Sequence, residues 1–160
     1  MSPKVQLHTA AAYPPAARQA WEQRIDAVRH GGIEAIAETV IQRYLHEDFR
    51  REYPLQVAHM RSQLLRCDPA GYAACCHAIA DMDWLDELHR IDCPTLVLAG
   101  ARDVGATPAM ARAINDRIRG SQLVVFDDAS HLSPVELPRA FVSTLRNFLQ
   151  WADLTQPDQT

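Results

Sequence analysis

Glycine is scarce in this sequence, and none of its six glycines brackets a serine. They stand at positions 31, 32, 71, 100, 105 and 120. The motif G-x-S-x-G, in which a sharp strand-to-helix turn exposes a nucleophilic serine, is therefore absent from the 160 residues. Acyl-transfer chemistry that needs such a serine has no evident nucleophile in this sequence.

Several other signals are also missing. No apolar run has the length of a membrane span, and the N-terminus lacks the apolar core of a signal peptide. Lysine and arginine, 16 in all against 20 acidic residues, do not cluster as they do in nucleic-acid-binding proteins. Neither the cysteines nor the histidines show metal-ligand spacing, so we predict no metal and no cofactor. The four cysteines are typical of reduced, mostly buried thiols in a cytoplasmic protein: Cys67, Cys75, Cys76 and Cys93.

Hydrophobic residues make up 48% of the chain, which is enough for a packed core. The patterning divides the chain into a first strand and turn at 1–13, an α-helical block at 14–82, a β-α-β-α block at 83–151 and a polar tail at 152–160. In the helical block, apolar residues at helical spacing predict four helices. Their start signals are Pro14-Pro15, Ile33, Pro54 and Asp68-Pro69, with a polar break at 46–48.

The β-α-β-α block contains two apolar strands, each followed by a residue with catalytic potential. Asp103 comes shortly after the strand at Thr95–Ala99, and His131 follows the strand at Gln122–Phe126. Adjacent parallel strands would place both side chains at the carboxyl edge of the sheet, where open α/β sheets carry their sites. A helix with a Ser133-Pro-Val-Glu136 capping box is predicted next, with Ser133 as the N-cap.

Asp103 and His131 each have a simpler explanation when taken alone. Asp103 would serve as a loop carboxylate satisfied by turn amides, and His131 as a polar residue before a helix. Their order and spacing together favour an acid that orients a catalytic imidazole, which in turn acts as a general base.

Two segments of the helical block resemble those of a particular enzyme family. The segment Arg66–Cys76 followed by Ala78-Ile79 resembles the last cap helix of 3-oxoadipate enol-lactonases, and Arg24-Ile25 with Gly31-Gly32 resembles their first cap helix. The resemblance covers about residues 5–149. It implies an α/β class: a partial α/β-hydrolase fold with a three-stranded parallel sheet, flanking helices and an inserted four-helix cap. It also implies that the family's first five strands, its nucleophile and its oxyanion hole would lie upstream of Met1.

The function that this resemblance implies is that of the C-terminal portion of an enol-lactone or carboxylic ester hydrolase. Asp103 and His131 would be its catalytic acid and base, no cofactor would be needed, and the chain alone would be inactive. Two alternatives stay open. One is a non-catalytic binding or assembly module derived from a hydrolase, and the other is a fragment that acts on another ester or lactone.

Further candidates come from residue chemistry. Trp84 could line a substrate pocket, although aromatics at helical spacing more often pack helices, and Arg102 could bind a substrate carboxylate. Ser130, Ser133, Cys75 and Cys76 are possible nucleophiles that we reject from sequence. Ser130 is the direct neighbour of His131, and Ser133 is explained as a helix cap. Both cysteines are expected on the apolar face of a helix, where a thiol is usually inert.

The first strand indicates how the chain could bind a further polypeptide chain. If the preceding strand of the hydrolase sheet is absent, Val5–Thr9 is an exposed edge that pairs readily with another chain. We therefore expect a homodimer or a complementing N-terminal hydrolase half, a small-molecule lactone or ester substrate, and neither a nucleic acid nor a membrane partner.

Overall fold

A computed structural model describes residues 2–155, and the chain divides into two compact units. The first consists of Met1–Ala10 with Leu85–Thr160, and the second is Ala11–Trp84. The elements in chain order are β1 (Lys4–Leu7), α1 (Pro15–Gly31), α2 (Glu34–Tyr44), α3 (Glu47–Glu52), α4 (Pro54–Leu65), α5 (Pro69–Ala80), a 3₁₀ helix (Leu85–Arg90), β2 (Thr95–Gly100), α6 (Pro108–Arg117), β3 (Gln122–Phe126), α7 (Ser133–Glu136) and α8 (Pro138–Thr155).

The first unit is built on a parallel sheet in the order β1-β2-β3. All six residues of β2 are buried, as its uninterrupted apolar sequence predicts for a strand covered on both faces. Leu96, Leu98 and Phe126 of the sheet pack with Phe148 and Ala152 of α8. None of the helices in the described part of the chain is long and apolar enough to cross a membrane.

The second unit is helical and contains α1 to α5. Val28, Ile33 and Val40 form part of its core, and the Asp68 carboxylate accepts a hydrogen bond from Gly71 N at the start of α5, as expected for an N-cap. The sequence predicted four helices, whereas the described chain has five in this unit. The extra helix, α3, replaces the predicted polar break because His46 Nδ1 accepts a hydrogen bond from the amide of the buried Phe49.

The predicted final helix and tail also differ from the structure. The helix is divided in two, since the backbone of Leu137 is not helical, with φ −132° and ψ 58°, and Pro138 begins α8. The first part of the predicted tail is helical, because α8 continues to Thr155 and Ala152 is fully buried. The rest of that tail, residues 156–160, lies outside the described residues.

The expectation of mostly buried thiols is correct for two of the four cysteines. Cys76 and Cys93 are buried, whereas Cys67 and Cys75 are exposed. Cys75 and Cys76 are consecutive residues of α5, and consecutive helical residues do not share a face. Assigning both to the apolar face was therefore wrong for Cys75.

Gly100, the last residue of β2, allows two loops to meet at the carboxyl edge of the sheet. A Cβ atom at this position would overlap the backbone carbonyl oxygens of Ala129 and Ser130, which belong to the loop after β3. Two hydrogen bonds stabilise this close approach of the two loops. Ala101 N donates to Phe126 O, and Arg102 N donates to Ala129 O. A glycine is needed here for its lack of a side chain.

We predict that Gly100→Ala destabilises the chain by about 3 kcal/mol or more, because backbone atoms rather than a flexible side chain must move. The free energy of unfolding in urea measures the effect. Gly71→Ala is the matched control, since the nearest atom to its added Cβ is the end of the Asp68 carboxylate at 3.2 Å. We expect that control to change stability by less than about 1 kcal/mol. Equal effects of the two substitutions would contradict this account of Gly100.

Candidate active site

Three polar side chains meet at the carboxyl ends of the three parallel strands. His8 comes directly after β1, Asp103 follows the end of β2, and His131 follows the end of β3. Each strand therefore contributes one residue to the same edge of the sheet, which is where α/β sheets carry their sites.

Asp103 and His131 are in direct contact, as their order in the sequence predicts. Asp103 Oδ2 lies 2.7 Å from His131 Nδ1. The carboxylate is almost fully buried, whereas 26% of the His131 side chain is exposed. The other carboxylate oxygen, Oδ1, accepts hydrogen bonds from Gly105 N at 2.8 Å and Ala106 N at 3.0 Å. The turn amides of the simpler explanation are thus present too, and they hold the carboxylate that orients His131.

Burial and polar contacts have opposite effects on the pKa of Asp103. Burial raises the pKa of this carboxyl, because a buried charge loses its hydration. The hydrogen bond from His131, the polar contact with His8, the positive charge that His131 can carry and the Gly105 amide all lower it. The lowering effects prevail, and the pKa lies well below the ordinary range of a carboxyl group. Asp103 is therefore ionised throughout the neutral range.

The loop that carries His131 is held by a buried carboxylate. Glu136 accepts a hydrogen bond from Ser130 N at 2.7 Å, and Ser130 Oγ donates to Arg102 O at 3.3 Å. The capping box predicted for Ser133 and Glu136 is wrong: Leu132 is the N-cap residue, and it provides no side-chain cap. Both side chains of that motif act on the loops of the site instead, because tertiary partners take their hydrogen bonds.

His8 is the residue that sequence reasoning missed. It was treated as part of a strand ending at Thr9, whereas β1 ends at Leu7 and His8 has a left-handed backbone with φ 44°. Its side chain is buried, with Nε2 2.7 Å from Ser133 Oγ and Nδ1 3.4 Å from Asp103 Oδ2. The signal that could have found it is its position after a strand, the same rule that found Asp103 and His131.

These three side chains are also the donor set that a metal ion could use. One ligand atom from each of His8, Asp103 and His131 lies within 4.8 Å of the others. Two ligands of a tetrahedral zinc ion, each about 2.0–2.1 Å from the metal, would stand about 3.3 Å apart. The 2.7 Å separation between Asp103 and His131 is shorter than that and has the length of a charge-assisted hydrogen bond. The geometry favours a shared proton at this contact.

The two residues suggested for substrate binding lie in different units. Arg102 is part of the first unit, next to Asp103, and its guanidinium pairs with the exposed Asp128 carboxylate at 2.9 Å. Trp84 is the last residue of the second unit; its side chain is largely exposed, and its amide donates to Ala11 O.

The rejected nucleophiles are poor candidates in the structure as well. Ser130 and Ser133 are buried, at 2% and 0% exposure, so a substrate has no direct access to either hydroxyl. Burial raises the pKa of the Cys76 thiol, which outweighs the lowering effect of Arg24 and favours the inert neutral form. Cys75 is exposed on the helix next to it.

Known proteins resemble this chain in sequence. It is 39% identical over 123 residues to 3-oxoadipate enol-lactonase 2 of Acinetobacter baylyi, a match that covers 77% of this chain and 46% of the relative. It is 31% identical over 131 residues to enol-lactonase 1 of the same organism, covering 81% and 48%. The chain spans about half the length of the curated relatives it matches. No protein-family profile matches it.

Solved structures agree with these relatives. The enol-lactonase from Burkholderia xenovorans superposes with a TM-score of 0.88 at 33% identity, over 94% of this chain and 56% of that one. A thermophilic esterase from Thermogutta terrifontis, crystallised with malate, superposes with a TM-score of 0.84 at 32% identity over the same shares. This chain is therefore related to the 3-oxoadipate enol-lactonases and has the fold of the C-terminal portion of an α/β-hydrolase of that kind.

Proposed function

We propose that this chain supplies the acid and the general base of a Ser-Asp-His hydrolase that opens an enol-lactone or a related carboxylic ester. The observation that carries the proposal is the 2.7 Å hydrogen bond between the buried Asp103 carboxylate and the partly exposed His131 imidazole. The similarity to enol-lactonases and to an esterase supports this class of substrate.

The contact with Asp103 sets the tautomer of His131. A proton on Nδ1 faces the carboxylate, so the basic lone pair is on Nε2. In the proposed reaction, a serine oxygen attacks the carbonyl carbon of the substrate while its proton passes to Nε2. The ring C–O bond then breaks, and His131 returns the proton to the released enol oxygen. Nε2 then takes a proton from water as the water oxygen attacks the acyl carbon. The bond between that carbon and the serine oxygen breaks, and Nε2 returns the proton to the serine, which releases the carboxylic acid.

Asp103 contributes in two ways during this cycle. Its hydrogen bond fixes the orientation of the imidazole, and its negative charge stabilises the imidazolium that forms when Nε2 takes the proton. The chemistry needs no cofactor, because serine, histidine and water supply every group that is transferred. Trp84 and Arg102 remain our candidates for substrate contact, with Arg102 matching an anionic substrate group.

No serine among the 160 residues stands in G-x-S-x-G, the turn that provides the nucleophile and one oxyanion-hole amide in hydrolases of this fold. We propose that a complementing N-terminal hydrolase segment supplies them and that the chain by itself is inactive. The alternatives of a non-catalytic module and of another ester or lactone substrate are outcomes that the assays below can distinguish.

We predict no turnover above background when the purified chain is assayed on an enol-lactone and on an aryl ester. Adding the N-terminal half of the Burkholderia xenovorans enol-lactonase should restore hydrolysis, once co-purification shows that the two pieces assemble. His131→Ala in that assembly should reduce kcat by at least about a thousandfold, because the serine then has no base. His59→Ala, an exposed histidine of α4, is the matched control and should leave the rate unchanged.

Two results would contradict the proposal. Esterase turnover by the chain alone, abolished by His131→Ala, would mean that a nucleophile exists within these residues. An assembled but inactive complex would instead favour the non-catalytic module. Selective hydrolysis of the aryl ester by the assembly would favour a different ester as the substrate.

The edge of the sheet is the surface that we propose for the partner. β1 is an outer strand of the described sheet, pairing only with β2 there, and Val5 on it is 38% exposed. Unpaired strand edges bind further strands, so either a second copy or the N-terminal half can add to it.

We predict that the chain alone forms dimers whose fraction rises with concentration in static light scattering. Val5→Lys should shift it toward the monomer, because a charged residue on an edge strand opposes strand addition. Val142→Lys, on the exposed side of α8, is the control and should leave the dimer fraction unchanged. A monomer at all concentrations, or equal effects of the two lysines, would argue against edge pairing.

We predict that Asp103→Asn lowers the free energy of unfolding by about 1–3 kcal/mol at pH 7, because a buried hydrogen-bond network loses its charged acceptor. The pKa of Asp103 is lower in the folded chain than in the unfolded one, so its stabilisation is complete above about pH 5. It declines as pH falls from there toward the folded pKa. The difference between wild type and variant should therefore narrow at pH 3.

Urea denaturation at pH 7, 5 and 3 measures this difference. Asp128→Asn is the matched control, since that carboxylate is 73% exposed and belongs to a surface ion pair. It should change stability by less than about 1 kcal/mol at every pH. A difference for Asp103→Asn that stays constant down to pH 3 would show that its charge contributes nothing to stability.

A further inference from the structure

We propose that His8 is a positioning residue of the site: a second imidazole that holds Asp103 Oδ2 and connects it to Ser133. The proposal rests on the function proposed above, because it concerns the acid of that site. It assigns a role to a residue that neither its sequence spacing nor a known catalytic motif indicates.

One carboxylate oxygen serves both imidazoles. Asp103 Oδ2 is 2.7 Å from His131 Nδ1 and 3.4 Å from His8 Nδ1. The two histidine rings are 5.6 Å apart between centroids and tilted by 58°. They differ in exposure, since the His8 side chain is 2% exposed and that of His131 is 26% exposed. His131 can therefore reach a substrate, whereas His8 acts on the site only through Asp103.

The hydrogen-bonding pattern assigns the proton positions on His8. Its Nδ1 is buried and makes no hydrogen bond of normal geometry with the described residues, but it faces the Asp103 carboxylate at 3.4 Å. An N–H at Nδ1 is attracted by that negative charge, whereas a lone pair would be repelled. Nε2 then carries the lone pair and accepts the hydrogen bond of the Ser133 hydroxyl at 2.7 Å.

The resulting chain of contacts runs from Ser133 through His8 to Asp103. It has the composition of a Ser-His-Asp triad, but Ser133 is fully buried at the start of α7 and cannot meet a substrate. Its hydroxyl acts instead as an anchor. Through these contacts, His8 connects Asp103, which follows β2, to Ser133 at the start of α7.

The backbone of His8 gives independent support. Its φ of 44° lies in the left-handed region, which costs a non-glycine residue about 1 kcal/mol or more. Such a conformation persists where surrounding contacts hold it, and it is frequent at functional sites. Here His8 N donates to Leu98 O at 3.0 Å, which keeps the residue in line with β2 while its side chain turns to Asp103.

Three substitutions separate the two contacts of His8. Asparagine places an N–H where Nδ1 stands and tolerates a left-handed backbone, so His8→Asn retains the contact with Asp103. Glutamine places a polar group near the position of Nε2, so His8→Gln retains only the contact with Ser133. His8→Leu removes both, and His59→Gln on the surface of α4 is the control.

The first readout is the titration of the Asp103 carboxyl by carbon NMR in the chain labelled at aspartate. The acid dissociation constant of Asp103 should fall roughly tenfold in His8→Leu and His8→Gln, because the contact of the His8 N–H with the charged carboxylate is lost. It should stay within about twofold of wild type in His8→Asn and in the His59→Gln control. If His8→Leu does not fold, the comparison of His8→Asn with His8→Gln still tests whether His8 holds Asp103. Equal acid dissociation constants for Asp103 in His8→Asn and His8→Gln would overturn the proposal.

The second readout uses the assembly with the N-terminal half. His8→Gln should lower kcat about tenfold with KM within twofold, and His8→Asn should restore kcat, because positioning of the base is needed only for the chemical step. An unchanged kcat in His8→Gln would overturn the proposal. If even the wild-type assembly is inactive, the proposed hydrolase function fails, while the carboxyl titration still decides whether His8 holds Asp103.

Discussion

The negative charge of Asp103 is the constraint to which the surrounding loops conform. A carboxylate that is 3% exposed is stable only if hydrogen bonds and positive charge replace its lost hydration. Four groups do so: the imidazoles of His131 and His8, and the amides of Gly105 and Ala106. The loop after β2, the end of β1 and the loop after β3 must all converge to deliver these groups, which is why the site and the fold are stabilised by the same contacts.

The sheet provides the precision that this convergence needs. Because the strands are parallel and adjacent, their carboxyl ends lie at one edge, and Gly100 lets the loop after β3 come within hydrogen-bonding distance of the loop after β2. The Glu136 carboxylate then fixes the Ser130 amide directly before His131. The position of His131 is thus set by backbone geometry and buried polar contacts, with little dependence on flexible side chains.

Much of this arrangement could be predicted from the sequence, and the exceptions have physical reasons. The contact between Asp103 and His131 followed from the order of strands and the rule for parallel sheets, both of which are local patterns in the chain. The position of His8 did not, because the first strand was expected to continue through Thr9, whereas β1 ends at Leu7 and leaves His8 at the edge of the sheet. Ser133 was misassigned for a different reason. Its local sequence is that of a helix cap, but a distant histidine takes its hydrogen bond. Helix α3 was missed because its six residues are mostly charged and its only buried side chain, Phe49, makes no periodic pattern.

The division of the chain has a consequence for its tolerance to change. The first unit is discontinuous, since its first ten residues and its last segment are separated in sequence by the whole helical unit. The entropy lost in joining the ends of an intervening segment grows only with the logarithm of its length, by about 0.6 kcal/mol for each doubling. The helical unit can therefore lengthen, shorten or be exchanged with little penalty to the pairing of β1 with β2. The helical unit can thus change in sequence or length while the side chains at the carboxyl edge of the sheet keep their positions.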